Sequence, residues 1–541
     1  MIRRTLAAAV LSALPLAQAA AMTDAELKAV VEQRIAGDRS GACIAAAVIE
    51  KNVARAYVCA DGSARVDATS AFEIGSVTKT MNATLLAQAI LAGKATLDTP
   101  LADLLPPEAK VPTWEGRKVL LRHVVTHTSG LPRLPPDFKP PGIDDPYAKL
   151  DEAALFASLA KATLASEPGT TFQYSNYATM LLSAALARLA GTDYESLVRR
   201  QVFEPLAMTH AYVAQRPDGV RAAQGHWSNG RAASAWNIPG NLAGVGGVRA
   251  TLDDMVNYVQ AQLGLRASSL DEAIALTQVV VPTKAHPQSA MNWMVTPSGK
   301  GEILAHGGGT GGFAAFVAFN RERGRGVVLL ADAAIEGLGP VALHLFDASA
   351  PVPPSAKGAT ADAALIDALV GEYKLASGLP MALTRRGDAL VAQAAGQSAF
   401  ELKYDSNGDF YPLDFDARLH PQRAADGGYA FTWFQLGDAQ PARRVDANKP
   451  AAEARELTPE ALAAYAGTYP LMPGFALRVF VKVGKLYVQG TGQPEIETAA
   501  VGGDVFVIEA VGAELRFERG EGKVVAVTLL QNGQKLRGER K

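Results

Sequence analysis

Cysteine is almost missing from this chain: two of 541 residues, Cys43 and Cys59, leave room for one internal bridge at most. A surplus of basic charge is missing too. Lys and Arg total 52 against 54 Asp and Glu, a formal charge of -2, which offers no basic surface for nucleic acid and argues against polyanionic partners. No apolar run approaches the roughly 20 residues that span a bilayer, so no membrane anchor is expected. The eight histidines are scattered. His123 and His127 have the i, i+4 spacing of a zinc pair, but Val124 stands where a metalloprotease carries glutamate and no third ligand follows by spacing. Both are read as structural, with no metal and no cofactor expected.

What is present begins with an export signal over residues 1–21. Arg3 and Arg4 form a positive start, Thr5 to Leu16 an apolar run, and Ala17-Gln18-Ala19 a small-residue cleavage site. Removing the two arginines takes the charge from -2 to -4, and the mature chain is expected in the periplasm or outside the cell. Residues 22–348 read as one α/β domain. A helix over 25–36, capped near Thr23 or Asp24, leads to an apolar hairpin folded about Lys51. That hairpin sets Cys43 opposite Cys59, where a disulfide and buried thiols are both compatible with the pattern. Helical periodicity recurs over 155–164, 178–189, 194–202 and 252–263, and strands are expected over 313–319 and 326–331. The proline cluster Pro351-Val352-Pro353-Pro354 marks a linker over 349–360. Alternating strands then fill 361–447 and 455–541. Gly371-Glu372-Tyr373 recurs as Gly467-Thr468-Tyr469, and the surroundings of Asp409 recur around Asp504, so two small antiparallel barrels or sandwiches related by duplication are expected.

The chemistry starts at Ser76-Val77-Thr78-Lys79. Positions i and i+3 share a helix face, so a lysine buried there can lose its charge and take the serine proton. Val77, Met81 and Leu85, with Leu86 and Ile90, make that helix largely buried. Tyr174 in Tyr174-Ser175-Asn176 follows the turn Glu167-Pro168-Gly169. Its phenol serves as a base only if a nearby cation, Lys79, lowers its pKa; otherwise it is a structural tyrosine. His306-Gly307-Gly308-Gly309 leads into a strand, and its glycines let another backbone approach. A backbone N–H near Gly309 and that of Ser76 are placed to hold a developing oxyanion. Gly307 to Gly312 also fits G-x-G-x-x-G, but a strand follows rather than a helix, which speaks against a dinucleotide site.

Taken in order, these segments resemble the serine β-lactamase and penicillin-recognising superfamily, particularly its class C-like branch, over roughly residues 40–345. Phe72 to Thr80 resembles the nucleophile box, Tyr174-Ser175-Asn176 the Y-x-N element and His306-Gly307-Gly308 the third, K-T-G-type element. His127 to Pro132, Phe203-Glu204-Pro205-Leu206 and Gly311-Gly312-Phe313 are similar to supporting signatures. The resemblance implies an antiparallel sheet flanked by helices with an added helical region. It implies that Ser76 attacks a carbonyl, that Lys79 and Tyr174 move protons, that Asn176 orients Lys79 and substrate, and that His306, Gly308 and Gly309 bind substrate. His306 departs from the usual lysine, and a mostly neutral imidazole attracts a carboxylate less than an ammonium does. That favours short D-amino-acid peptides or small esters over the work of a class C-like β-lactamase or D-alanyl-D-alanine carboxypeptidase. The two β domains are similar in arrangement to the D-aminopeptidase branch. A sensor of peptidoglycan fragments and a ligand-carrying β tail are the non-enzymatic readings.

Overall fold

The computed structural model describes residues 21–541 apart from 143, 286–287, 425–427, 436–437, 446–456, 509–510, 512 and 532–533. The export signal therefore lies, but for Ala21, outside the described residues. Six antiparallel strands form the central sheet, in the order Val53–Cys59, Cys43–Ile49, Arg325–Ala331, Ala314–Asn320, Glu302–Gly309, Met294–Pro297. Every residue of Cys43–Ile49 is buried, as its unbroken apolar run requires of a strand covered on both faces. The period of two divides that run between two cores. Ala45, Ala47 and Ile49 pack with Met81, Leu85 and the other buried helices, while Ile44, Ala46 and Val48 meet Leu27, Val31 and Val341 from the helices Asp24–Ile35 and Leu338–Phe346.

The hairpin register pairs Cys43 directly with Cys59, and the two are joined in a disulfide. Closing a loop of this size stabilises by roughly 3 kcal/mol on the chain-entropy estimate. Thr23 caps the first helix through a capping box with Glu26, fixing its start where the sequence placed it. One expected helix is shorter than its periodicity. Residues 155–164 hold the end of Glu152–Ser158 and a 3-10 turn, Leu159–Lys161, after which the backbone extends and the Ala165 N–H bonds to the Gly130 carbonyl. A tertiary hydrogen bond to the Gly130 turn thus ends what local pattern would continue.

Beyond the catalytic region, strands from Gly371–Leu375 to Asp438–Arg444 form a sheet whose edges meet when Phe400–Asp405 pairs with Phe410–Pro412, closing eight strands into a barrel. The last region holds a four-stranded and a five-stranded antiparallel sheet. The repeated Gly-x-Tyr does the same thing in both. Tyr373 donates its hydroxyl to the Leu369 carbonyl at 2.9 Å and Tyr469 to the Tyr465 carbonyl at 2.7 Å, each tying a short helix to the strand that follows. The barrel is fastened to the catalytic region by Asn229, whose amide donates to the carbonyls of Pro412 and Phe415, and by Ser228, whose hydroxyl donates to Asp416 at 2.7 Å.

Candidate active site

The strand Ser70–Glu73 delivers the chain into a 3-10 turn, Gly75–Val77, and then into the helix Thr78–Leu91. Gly75 takes a positive φ of 50°, and a Cβ there would stand 2.7 Å from the Gly309 nitrogen; a Cβ on Gly308 would stand 2.0 Å from the Ile74 carbonyl oxygen. Neither position tolerates a side chain, because the turn bearing Ser76 lies directly on the glycine strand. The strand Met294–Pro297 pairs with its neighbour only over 302–305, so on that side the edge at Gly307 to Gly309 is left unpaired by it beside the nucleophile.

Lys79 reaches the same spot from one helical turn later. Its Nζ lies 3.0 Å from Ser76 Oγ and donates to the Val245 carbonyl at 2.6 Å. The side chain is wholly buried, and burial, followed by the charge of Arg133, holds its pKa well below that of an ordinary lysine. Tyr174 hydrogen-bonds Ser76, yet burial dominates and pushes its phenol up to about 12. The expected lowering of the Tyr174 pKa by a lysine cation does not occur: burial raises the phenol above every other influence, and Lys79 is not among those that lower it. The lysine amine is thus held toward its neutral form and the tyrosine toward its protonated one.

Asn176 opens the helix Asn176–Ala190, and its amide donates to the Tyr147 hydroxyl at 3.5 Å rather than to Lys79, leaving Oδ1 buried with no partner among the described residues. His306 sits on the glycine strand, almost wholly buried; its Nδ1 donates to the Gly307 carbonyl at 2.7 Å. Burial, then Lys79, lowers its pKa to about 4, so it is neutral at physiological pH. Arg133 is exposed at the rim, its guanidinium 5.6 Å from the Tyr174 ring centre.

Several participants escaped the sequence reading. His127, read as structural, lies on Tyr174 with ring centres 4.2 Å apart and lines the cleft. The zinc pair fails on geometry: the helix ends at Val125, His127 takes a φ of 53°, and His123 turns away to accept the Leu120 N–H. Its place in His127-Thr128-Ser129-Gly130 was the available signal. Asn292 donates to the Lys79 carbonyl at 2.9 Å. Trp227, Trp236 and Asp416, the last contributed by the barrel, line the cleft, whose volume is about 620 Å³.

A serine beside a buried lysine of lowered pKa and a tyrosine, on a helix start packed against an antiparallel sheet, is the arrangement that serine acyl transfer requires. Residues 27–343 match the Beta-lactamase family, and the chain belongs to that family of serine hydrolases. It is similar to the D-alanyl-D-alanine-carboxypeptidase/endopeptidase AmpH of Escherichia coli (strain K12), 31% identical over 277 residues that cover 48% of this chain and 70% of that one. It is also similar to a beta-lactamase of the same organism, 27% identical over 297 residues, covering 48% and 75%. The fold is shared with the D-alanine carboxypeptidase AmpC from Burkholderia cenocepacia, with a TM-score of 0.50 and 23% identity, covering 60% of this chain and 99% of that one. Residues 451–540 match a domain of unknown function, DUF3471.

Proposed function

We propose that this chain is an exported serine hydrolase that cleaves amide or ester bonds through an acyl group carried on Ser76, with short D-amino-acid peptides or small esters as substrates. The observation that carries this reading is the 3.0 Å approach of a fully buried lysine amine to Ser76 Oγ. The uncharged amine accepts the serine proton as Oγ attacks the carbonyl, and the N–H groups of Ser76 and Gly309 receive the oxyanion. As the carbon–leaving-group bond breaks, the protonated Tyr174 supplies a proton to the departing atom and is refilled from Lys79. Water then attacks the ester by the reverse relay. The residue 1–21 pattern and the Cys43–Cys59 disulfide support export.

A carboxypeptidase or β-lactamase activity is the second reading, favoured by the likeness to AmpH and opposed by the neutral His306. A panel of D-amino-acid p-nitroanilides, short esters, D-Ala-D-Ala peptides and a chromogenic cephalosporin separates them. Turnover of anilides and esters is expected; efficient cephalosporin hydrolysis with neither of these would remove the substrate assignment. Intact-mass measurement after a fluorophosphonate, with Ser76→Ala as control, should show one adduct. Its absence would end the nucleophile claim, and a permanent adduct from every peptide and ester would favour a sensor.

A further inference from the structure

Two imidazoles line the cleft, and their hydrogen bonds fix opposite tautomers. A carbonyl oxygen only accepts, so the 2.7 Å contact from His306 Nδ1 to the Gly307 carbonyl requires the proton on Nδ1 and leaves Nε2 with a lone pair. His127 is arranged the other way. Its Nδ1 accepts the Ser175 N–H at 3.3 Å, which puts the proton on Nε2, and that Nε2–H is buried in the cleft wall with no partner among the described residues. One ring therefore carries an acceptor and the other a donor, and that donor has no partner among the described residues although its side chain lines the cleft.

We infer that His127 and His306 together form a subsite for an uncharged leaving group that carries both a donor and an acceptor, a primary carboxamide above all, and that they disfavour a carboxylate there. This rests on the Ser76 acyl-transfer reading and specifies which half of the substrate the two rings select. A carboxamide can give an N–H to His306 Nε2 and take the His127 Nε2–H on its oxygen. A carboxylate has no hydrogen to give and meets the His306 lone pair with its own. Neither imidazole is charged near neutral pH: burial first, then Lys79, lowers the pKa of both, with His306 itself a further cause at His127. Asn292 and Trp293 also line the cleft, and Asn292 Oδ1 and Trp293 Nε1 are likewise buried with no partner among the described residues. The one cation lining the cleft among the described residues, Arg133, stands exposed at its rim, where solvent and salt weaken but do not remove its pull on a carboxylate. Acylation keeps its balance: the Ser76 Oγ–carbon bond forms, the carbon–nitrogen bond breaks, and the amine of the departing amino-acid amide takes the proton.

The test uses the full-length protein and two substrates matched in acyl group, D-alanyl-D-alaninamide and D-alanyl-D-alanine, with release of D-alaninamide or D-alanine measured at pH 7. The expected kcat/KM is at least about tenfold higher for the amide, since a site that leaves polar groups unpaired rejects the wrong partner strongly. His306→Lys should shift the ratio toward the carboxylate by about tenfold or more. His127→Asn, which keeps an acceptor for Ser175 but loses the Nε2 donor, should raise KM for the amide more than it lowers kcat, and His127→Gln, which restores a donor at that distance, should recover part of the loss. Equal or faster release of D-alanine by the wild type overturns the inference and leaves the Ser76 chemistry standing. No release of either product from a protein whose Ser76 takes a fluorophosphonate adduct also overturns it. No release and no adduct removes the underlying acyl-transfer reading instead.

Discussion

The cleft at Ser76 and the seam between the catalytic region and the barrel both bury basic side chains, and they resolve the cost in opposite ways. At the seam each is paired. Arg39 meets Asp405 at 2.9 Å with both side chains almost fully buried, and Arg418 bonds Asp409 at 3.0 Å and Glu336 at 2.8 Å. In the cleft Lys79 has a serine oxygen and a carbonyl but no ion pair among the described residues, and burial holds its pKa well below the ordinary lysine value instead. Burying an ion demands either a partner or neutralisation. The seam took the first course and holds two regions together; in the cleft the lysine is pushed toward the second, which the proposed acyl transfer needs of its base.

Replacing Lys79 by methionine should break the comparison most visibly. Loss of a member of a nucleophile unit is expected to lower kcat/KM at least about 10⁴-fold, while removal of an amine buried without a counter-ion should stabilise the fold by about 2 kcal/mol. Thermal melting and ester turnover on the same preparation check both signs. At the seam the signs reverse. Asp405→Ala leaves Arg39 charged and unpaired and should cost about 4 kcal/mol with the cleft chemistry intact, whereas the joint change Arg39→Met with Asp405→Leu should lie near wild type. Burial, then Asp409, already pushes the Asp405 carboxyl up despite Arg39, so an apolar pair should cost little there. Denaturant titration of the three proteins decides it. The smallest effect concerns pH. His306 titrates near its ordinary 6.5 when unfolded but only at about 4 when folded, so the unfolded state binds the proton first. Its contribution to stability is complete above about pH 6.5 and is lost as pH falls toward 4. His306→Gln should flatten that part of the stability–pH curve.

The sequence announced its chemistry where one local element carries it. Ser76 and Lys79 lie one helical turn apart, and Cys43 and Cys59 face each other across one hairpin, so spacing alone placed them. Tyr174 and His306 were legible from family-like segments in order. Their protonation was not, because it depends on burial by distant elements: burial, and not the lysine counted on, decides the Tyr174 pKa. His127 was hidden for a similar reason. Its i, i+4 partner drew attention to a helix that stops two residues before it, and only tertiary packing lays its ring on Tyr174. Asp416 reaches the cleft from another region through bonds to Ser228, which no local pattern encodes.

The charge on Lys79 is open to direct measurement. With lysine side chains labelled at carbon Cε and the Lys79 signal assigned by its loss in Lys79→Met, an NMR titration should find that signal at the free-amine position at pH 7. A Lys79 signal that stays at the ammonium position up to pH 10 would contradict an uncharged base beside Ser76.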